Sequence, residues 1–245
     1  MFFVLVAAIF ALGGFVKGVV GLGLPTIAMG LLSVLMLPAQ AAALLVVPSL
    51  VTNLWQIGGP GMLALLRRLA PMLLGVCAGA WLGAGWLTDT GSSLATLGLG
   101  LSLIAYAALG LLKWRMHVMP SHETRLAPLI GLATGLVTAA TGVFVIPAVP
   151  YLQALGMEKE TLVRALGISF LVSTIALGVA LGSSGALQAT ALAGSALALL
   201  PALAGMGAGQ WLRLRVQPET FKTIFFCGLL ALGAYLALRA ALHLN

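Results

Sequence analysis

The chain has 245 residues, of which 61% are hydrophobic and only 7% are charged. Apolar runs of about twenty residues recur along its whole length, which is typical of helices that cross a membrane. The formal net charge of +7 comes from basic residues grouped between these runs, so it is a topology signal rather than a nucleic-acid footprint. We therefore expect an all-α polytopic membrane protein that contacts the lipid bilayer and has no nucleic-acid partner.

Ten apolar segments follow one another along the chain. They cover residues 2–20, 24–37, 39–57, 69–88, 92–112, 126–140, 143–156, 161–181, 187–211 and 221–242. Segments 24–37 and 143–156 are too short to cross alone, because about 14 residues at about 1.5 Å each reach about 21 Å and the hydrocarbon core is about 30 Å thick. Each is expected to be a short half-helix that completes a broken crossing or folds back as a re-entrant arm, which gives 8–10 membrane segments.

A glycine-rich break with a proline precedes or opens each short segment. The first break carries Gly14, Gly18, Gly21, Gly23 and Pro25, and the second carries Gly131, Gly135, Gly142 and Pro147. Glycine and proline weaken a helix, and non-helical backbone survives at membrane depth only where protein or a water-lined cavity covers it. Each break is therefore predicted to line a site.

The two halves of the chain share this order of segments. Ser49 and Asn53 can be laid over Ser169 and Ser173 at an offset of 120 residues. We predict a first membrane repeat at 1–112, a cytoplasmic linker at 113–125 and a second repeat at 126–245. Because each half has five segments, an odd number, the second half should enter the membrane from the opposite face. Inverted repeats of this kind are common in secondary transporters.

The basic residues predict the orientation. Arg67, Arg68, Lys113, Arg115, Arg125, Lys159, Arg213, Arg215 and Lys222 all fall between segments on one side. The positive-inside rule makes that side cytoplasmic, so both termini are expected to be extracytoplasmic. Arg239 is the exception, and its side chain is expected to snorkel to the interface.

Acidic and histidine side chains are confined to the loops and chain ends. Asp89, Glu123, Glu158, Glu160, Glu219, His117, His122 and His243 account for all of them. No proton relay, metal site or nucleophile–base triad can be drawn through the spans from such positions. We therefore expect neither an enzyme nor a cofactor.

A small anionic substrate is the ligand that the remaining polar groups favour. Helix N-termini at Pro25-Thr26 and Gly142-Val143 would present free N–H groups and partial positive charge to a common pocket near the midplane. Lys17 adds the one lysine within the early spans, although it could also snorkel outward. The predicted substrate-binding residues are Lys17, Gly18, Gly21, Gly23, Thr26, Asn53, Thr138, Thr141, Gly142, Ser169 and Ser173.

Several of these features also have purely structural explanations. The pairs Gly14/Gly18 and Gly131/Gly135 match the small-residue pattern of helix packing, as does the ladder at Gly75, Gly79 and Gly83. That ladder could pack within one bundle or between two, so the sequence also allows a homodimer. Arg164 is expected to pair with Glu160 or to snorkel. Trp81, Cys77 and Cys227 are expected in the protein core.

The glycines and prolines of the two breaks resemble those of the sulfite exporter family of TauE/SafE type. Residues 165–169 also resemble the small-residue and serine segment that follows the second break in that family. The resemblance covers almost the whole chain. It implies transport, with export the favoured direction, of a small sulfur-containing anion such as sulfite or an organosulfonate across the cytoplasmic (inner) membrane of a prokaryote. Alternating access around the predicted site is the expected mechanism, and the alternative is an anion-selective channel or uniporter of the same fold.

Overall fold

The computed structural model describes residues 1–59, 61–89, 92–112, 117–213, 215 and 218–242. These residues form helices joined by turns. The helices are α1 (Phe2–Val20), α2 (Leu24–Leu35), α3 (Pro38–Ile57), α4 (Met62–Leu82), α5 (Trp86–Asp89), α6 (Ser92–Leu111), α7 (Pro120–Thr141), α8 (Ala148–Ala154), α9 (Lys159–Ser183), α10 (Ala189–Arg213) and α11 (Pro218–Leu242). Lys113, Arg115 and His243 lie outside the described residues, as do the side chains of Asp89 and Glu219.

The described helices have the lengths that a membrane requires. Seven are long and apolar enough to cross a bilayer, namely α1, α3, α4, α6, α9, α10 and α11. Helix α7 is also 22 residues long, although its first turns are polar. The predicted all-α polytopic membrane fold is therefore confirmed.

Helices α1 and α2 form a helical hairpin. Gly21 ends α1 in the left-handed conformation (φ 86°), and its N–H donates to the Lys17 carbonyl at 2.7 Å. The chain then turns back, so that a Cβ at Gly13 would lie only 3.2 Å from the Leu24 carbonyl oxygen. Because glycine alone adopts such φ values without strain, the break forms where the sequence predicts it.

A second hairpin joins α7 to α8, and here the predicted half-helix is wrong in its extent. Gly142 caps α7 with φ 71°. Residues 143–147 are not α-helical, and α8 holds only seven residues, Ala148–Ala154. Pro147 lacks an N–H and disfavours the helical conformation at Ile146, which delays the start of the helix. The Val118 N–H donates to the Ala154 carbonyl at 3.0 Å, so α8 returns to the end at which α7 begins.

Glycine-lined contacts hold the long helices together in pairs. A Cβ at Gly14 would lie 2.1 Å from the Ala202 carbonyl oxygen of α10, and one at Gly131 would lie 2.0 Å from that of Met72 in α4. The ladder residue Gly79 meets Leu132 of α7 just as closely. The packing interpretation of both glycine pairs is thus confirmed, and the ladder packs inside one bundle, where it gives no support to a homodimer.

The long helices in the described part of the chain pack against one another in pairs. Helix α1 packs along α10 and α4 along α7, while α3 packs on α9 and α6 on α11. If α7 corresponds to α1 and α10 to α4, the α1–α10 contact in one half has the α4–α7 contact as its counterpart. The α3–α9 and α6–α11 contacts would each join two helices that correspond to one another. The inverted relation of the two halves nevertheless stays a prediction.

Helices α4 and α7 begin well before their predicted apolar segments, because charged residues near their N-termini interrupt the apolar pattern. Helix α4 begins at Met62 rather than residue 69, and α7 begins at Pro120, inside the predicted linker. Arg68 and Glu123 therefore lie on helices, where Arg68 Nε and Nη2 donate to the two Glu123 carboxylate oxygens at 2.6 and 2.8 Å.

The expectation that Trp81, Cys77 and Cys227 are core residues is wrong. Trp81 is 78% exposed, and both thiols are free and exposed. On a membrane-spanning bundle, lipid covers the outer surface, so an apolar side chain gains nothing by facing inward rather than outward. Hydrophobicity alone therefore does not separate the core of such a bundle from its outer face.

Candidate functional site

Lys17 carries a buried amino group near the end of α1. Its side chain is 2% exposed, and its Nζ donates to Thr52 Oγ1 at 3.0 Å and to Asn53 Oδ1. Thr52 Oγ1 in turn donates to the Pro48 carbonyl at 2.6 Å. No described acidic side chain contacts Lys17; Glu123 pairs with Arg68, and Glu160 pairs with Arg164 as predicted, at 3.6 Å. The ammonium is thus bound by neutral oxygens without a counter-charge.

Polar side chains with unused hydrogen-bonding capacity lie along the contact between α3, which binds this lysine, and α9. Helices α3 and α9 run antiparallel, because Gly167 packs at Asn53 and Gln56 whereas Gly178 packs at Val46. Ser49, Asn53, Ser169 and Ser173 lie along the stretch between these contacts. All four are fully buried, and the hydroxyls of the three serines and the Nδ2 of Asn53 have no hydrogen-bond partner. These side chains, with Lys17 and Thr52, are referred to below as the Lys17 cluster.

The N-terminal turn of α2 supplies one more such group. Thr26 is fully buried, and its hydroxyl has no hydrogen-bond partner. A Cβ at Gly142 would contact both Met29 of α2 and Ala42 of α3. Because α2 and α3 run antiparallel, Thr26, one turn before Met29, lies toward the Ser49 end of α3. The helix N-terminus at α2 therefore points to the region where the sequence predicts the anion.

The depth of the cluster follows from helix geometry. Lys17 and Asn53 each lie fifteen residues into their helices, which places both about 22 Å from the bundle end that carries Phe2 and Pro38. In a core of about 30 Å this is past the middle, toward the end that bears the basic residues. None of the polar side chains of the cluster is more than 2% exposed, so the arrangement is occluded.

The first break is held against α3 by Gln56. Its Nε2 donates to the Gly21 carbonyl at 2.7 Å, while its Oε1 has no hydrogen-bond partner. Gly23 begins the next helix with φ 123°, and a Cβ there would lie 2.8 Å from the Val16 side chain. Gly21 and Gly23 thus shape the backbone beside Lys17, and both positions require glycine.

Other predicted residues have local roles in the structure. A Cβ at Gly18 would lie 2.3 Å from the Met206 carbonyl oxygen, so this glycine is a packing residue on α10. Thr138 and Thr141 donate within α7, to the carbonyls of Thr134 and Val137 at 2.7 Å. The Val143 N–H donates to Thr141 Oγ1 at 3.2 Å, so the predicted helix N-terminus at Gly142-Val143 is wrong. The second break is instead a capped turn followed by a short buried, non-helical segment at residues 143–145.

Three residues beside the site are absent from the sequence-based set: Ser49, Thr52 and Gln56. With Asn53 they occupy positions i, i+3, i+4 and i+7 of α3, which is one face of a helix. A polar face on an apolar helix was the signal that could have identified them. The same face carries the Ser49 and Asn53 positions that align with Ser169 and Ser173 in the other half.

This arrangement is suited to a small anion. The ammonium, the amide Nδ2 and the serine hydroxyls are all donors, and charge-assisted hydrogen bonds to an anion are about twice as strong as neutral ones. Among the described residues, no group of three or more histidine, cysteine or acidic side chains could hold a metal ion.

Comparison with known proteins agrees with the fold and with this chemistry. Residues 5–236 match the family described as Sulfite exporter TauE/SafE. No curated protein and no solved structure matches the chain at a significant level. Since the matched region covers nearly all of the 245 residues, the chain belongs to the TauE/SafE family of sulfite exporters.

Proposed function

We propose that this protein is a secondary transporter that carries a small sulfur-containing anion, sulfite or an organosulfonate, out of the cell by alternating access around the Lys17 cluster. The family supports transport of a sulfur anion, and the cluster supplies a place for it. Lys17 would hold the charge, while Asn53, Ser169 and Ser173 would donate to the anion's oxygens. Thr26 and the first turn of α2 complete the proposed site.

The observation that carries this proposal is an ammonium buried without a carboxylate among hydroxyls that lack partners. A buried, uncompensated charge costs several kcal/mol, and an unpaired buried polar group costs about 1–3 kcal/mol. An anion bound at the cluster would offset both costs at once. A merely structural lysine would be expected to have an acidic partner or to reach the interface.

Occlusion favours a carrier over the alternative of an anion channel. A conducting pore keeps its filter connected to water on both sides, whereas the Lys17 cluster is closed to solvent. Access would therefore require movement of one half-bundle against the other, as in transporters built from repeats. The family also supports placement in the inner membrane of a prokaryote, and the positive-inside rule supports an orientation with the Lys17 cluster nearer the cytoplasmic face.

Counterflow in proteoliposomes tests this function. Vesicles are loaded with unlabelled sulfite, and the transient accumulation of external ³⁵S-labelled sulfite is followed, with protein-free vesicles as the control. A carrier exchanges labelled for unlabelled anion, so we expect a saturable overshoot of the label. Single-channel anion currents without an overshoot would instead establish the channel, and the absence of any sulfite-dependent flux would contradict both.

A further inference from the structure

A second polar cavity opens at the bundle end that carries the N-terminus, remote from the Lys17 cluster. Its volume is about 540 Å³, ample for a small hydrated anion. It lies where α2 ends, α3 and α6 begin, and α11 ends. The polar residues that line it are Ser33, Gln40, Ser93, Thr96 and Arg239. This cavity, with those five residues, is called the outer vestibule below.

Arg239 gives the outer vestibule its charge. It is the one ionisable side chain among the described residues that line the cavity. Its Nη1 donates to the Val34 carbonyl at 3.0 Å, so it is positioned by α2 rather than simply snorkelling, and a guanidinium has four further N–H donors. One hydrogen bond therefore fixes the arginine and leaves donors for a ligand.

Helix ends add to this positive potential. Helices α3 and α6 both direct their N-termini at the outer vestibule, with Gln40, Ser93 and Thr96 in their first turns. Such ends attract anions through free N–H groups and the helix dipole. The C-termini of α2 and α11, which carry partial negative charge, also lie here, and the positive charge of Arg239 offsets it.

An unpartnered hydroxyl independently marks this cavity as a binding site. Ser33 is only 5% exposed, lines the cavity, and has no hydrogen-bond partner. It lies seven residues after Thr26, whose hydroxyl is also unpartnered, and residues at that spacing share one face of a helix. The same face of α2 therefore carries a free hydroxyl beside the Lys17 cluster and another at the outer vestibule, about 10 Å apart along the axis.

From this geometry we propose that the outer vestibule is a second anion site, which holds the sulfur oxyanion between the Lys17 cluster and the aqueous phase on the N-terminal side. Arg239 is its electrostatic anchor, Ser33 donates from the wall, and the Thr26–Ser33 face of α2 connects the two sites. The role in transport rests on the proposed function, whereas anion binding at the outer vestibule does not.

Initial rates of ³⁵S-sulfite uptake into proteoliposomes at low salt test the role in transport. Arg239→Gln should raise KM about tenfold at nearly unchanged maximal rate. The variant loses one charge-assisted hydrogen bond to the anion, and the free energy of such a bond near water is at the low end of its usual range. Arg239→Lys should restore most of the affinity, Ser33→Ala should raise KM by a smaller factor, and added salt should shrink the Arg239→Gln effect. Arg125→Gln, which removes an exposed charge on α7, is the matched control and should leave KM unchanged.

Equilibrium binding separates this proposal from the proposed function. Lys17→Ala protein in nanodiscs should still bind ³⁵S-sulfite, and the added Arg239→Gln change should weaken that binding about tenfold. This pattern would support the outer vestibule even if no transport occurred. The proposal would be overturned if Arg239→Gln had the wild-type KM. It would also be overturned if this variant lost maximal rate at constant KM and had a lower melting temperature, because Arg239 would then serve only to cap a helix.

Discussion

Replacing Lys17 by methionine should lower kcat/KM for sulfite about a hundredfold without lowering thermal stability. Truncating one member of a buried, hydrogen-bonded charge pair costs about 2–5 kcal/mol, and the anion would lose its only cationic partner in the Lys17 cluster. Replacing a buried ammonium that has no counter-charge by an apolar side chain of similar length is neutral or stabilising for the fold. Uptake and melting temperature, measured on the same protein, therefore separate a functional lysine from a structural one.

Lys159→Met is the matched control for this experiment. It makes the same chemical change at an exposed position in the first turn of α9, so transport should stay at the wild-type level. Lys17→Arg keeps the charge but needs more room in a closed site, so partial activity is expected. If Lys17→Met transports like the wild type, Lys17 is not in the substrate site; if it melts well below the wild type, its role is structural.

Replacing Gly205 by alanine should destabilise the protein by about 2–3 kcal/mol, which is within the range of overpacking substitutions. A Cβ at Gly205 would lie 2.0 Å from the Ala11 carbonyl oxygen, so α10 and α1 would be forced apart. The contact is with backbone on both helices, and no rotamer change can relieve it. Thermal unfolding in detergent, followed by the loss of the monodisperse peak, measures the effect.

Gly207 offers a control two residues away on the same helix. A Cβ there meets nothing within 4 Å, and alanine is the better helix former by about 1 kcal/mol. Gly207→Ala should therefore leave the melting temperature unchanged or raise it. Equal melting temperatures for the two variants would show that the close α1–α10 contact does not stabilise the bundle.

The sequence predicts much of this architecture because a membrane imposes simple rules. Apolar length places the spanning helices, and the glycines of the breaks identify the first hairpin where φ is positive, at Gly21 and Gly23. The partner of the Gly14/Gly18 pair was not predicted, although Gly205 and Gly209 show the same spacing. Spacing identifies a helix face but does not specify which other helix it meets.

The sequence predicts the polar residues that form the middle of the candidate site, but it does not predict the structure of the second break beside it. Lys17, Asn53, Ser169 and Ser173 come together because two helices place polar residues at corresponding positions. The second break was misjudged because proline and glycine predict an interruption without specifying whether a helix or an extended strand of chain follows it. In this protein residues 143–145 are buried and non-helical and residues 146–147 form a turn, so α8 begins only at Ala148.

The location of a bound anion tests the central claim most directly. Selenite has the shape and charge of sulfite, and its selenium atom can be located by anomalous diffraction in crystals of the wild-type protein. We predict an anomalous peak within about 3–4 Å of Lys17 Nζ, between α3 and α9, that disappears in Lys17→Met. A protein that transports selenite but shows no peak at Lys17, or keeps that peak in Lys17→Met, would contradict this account.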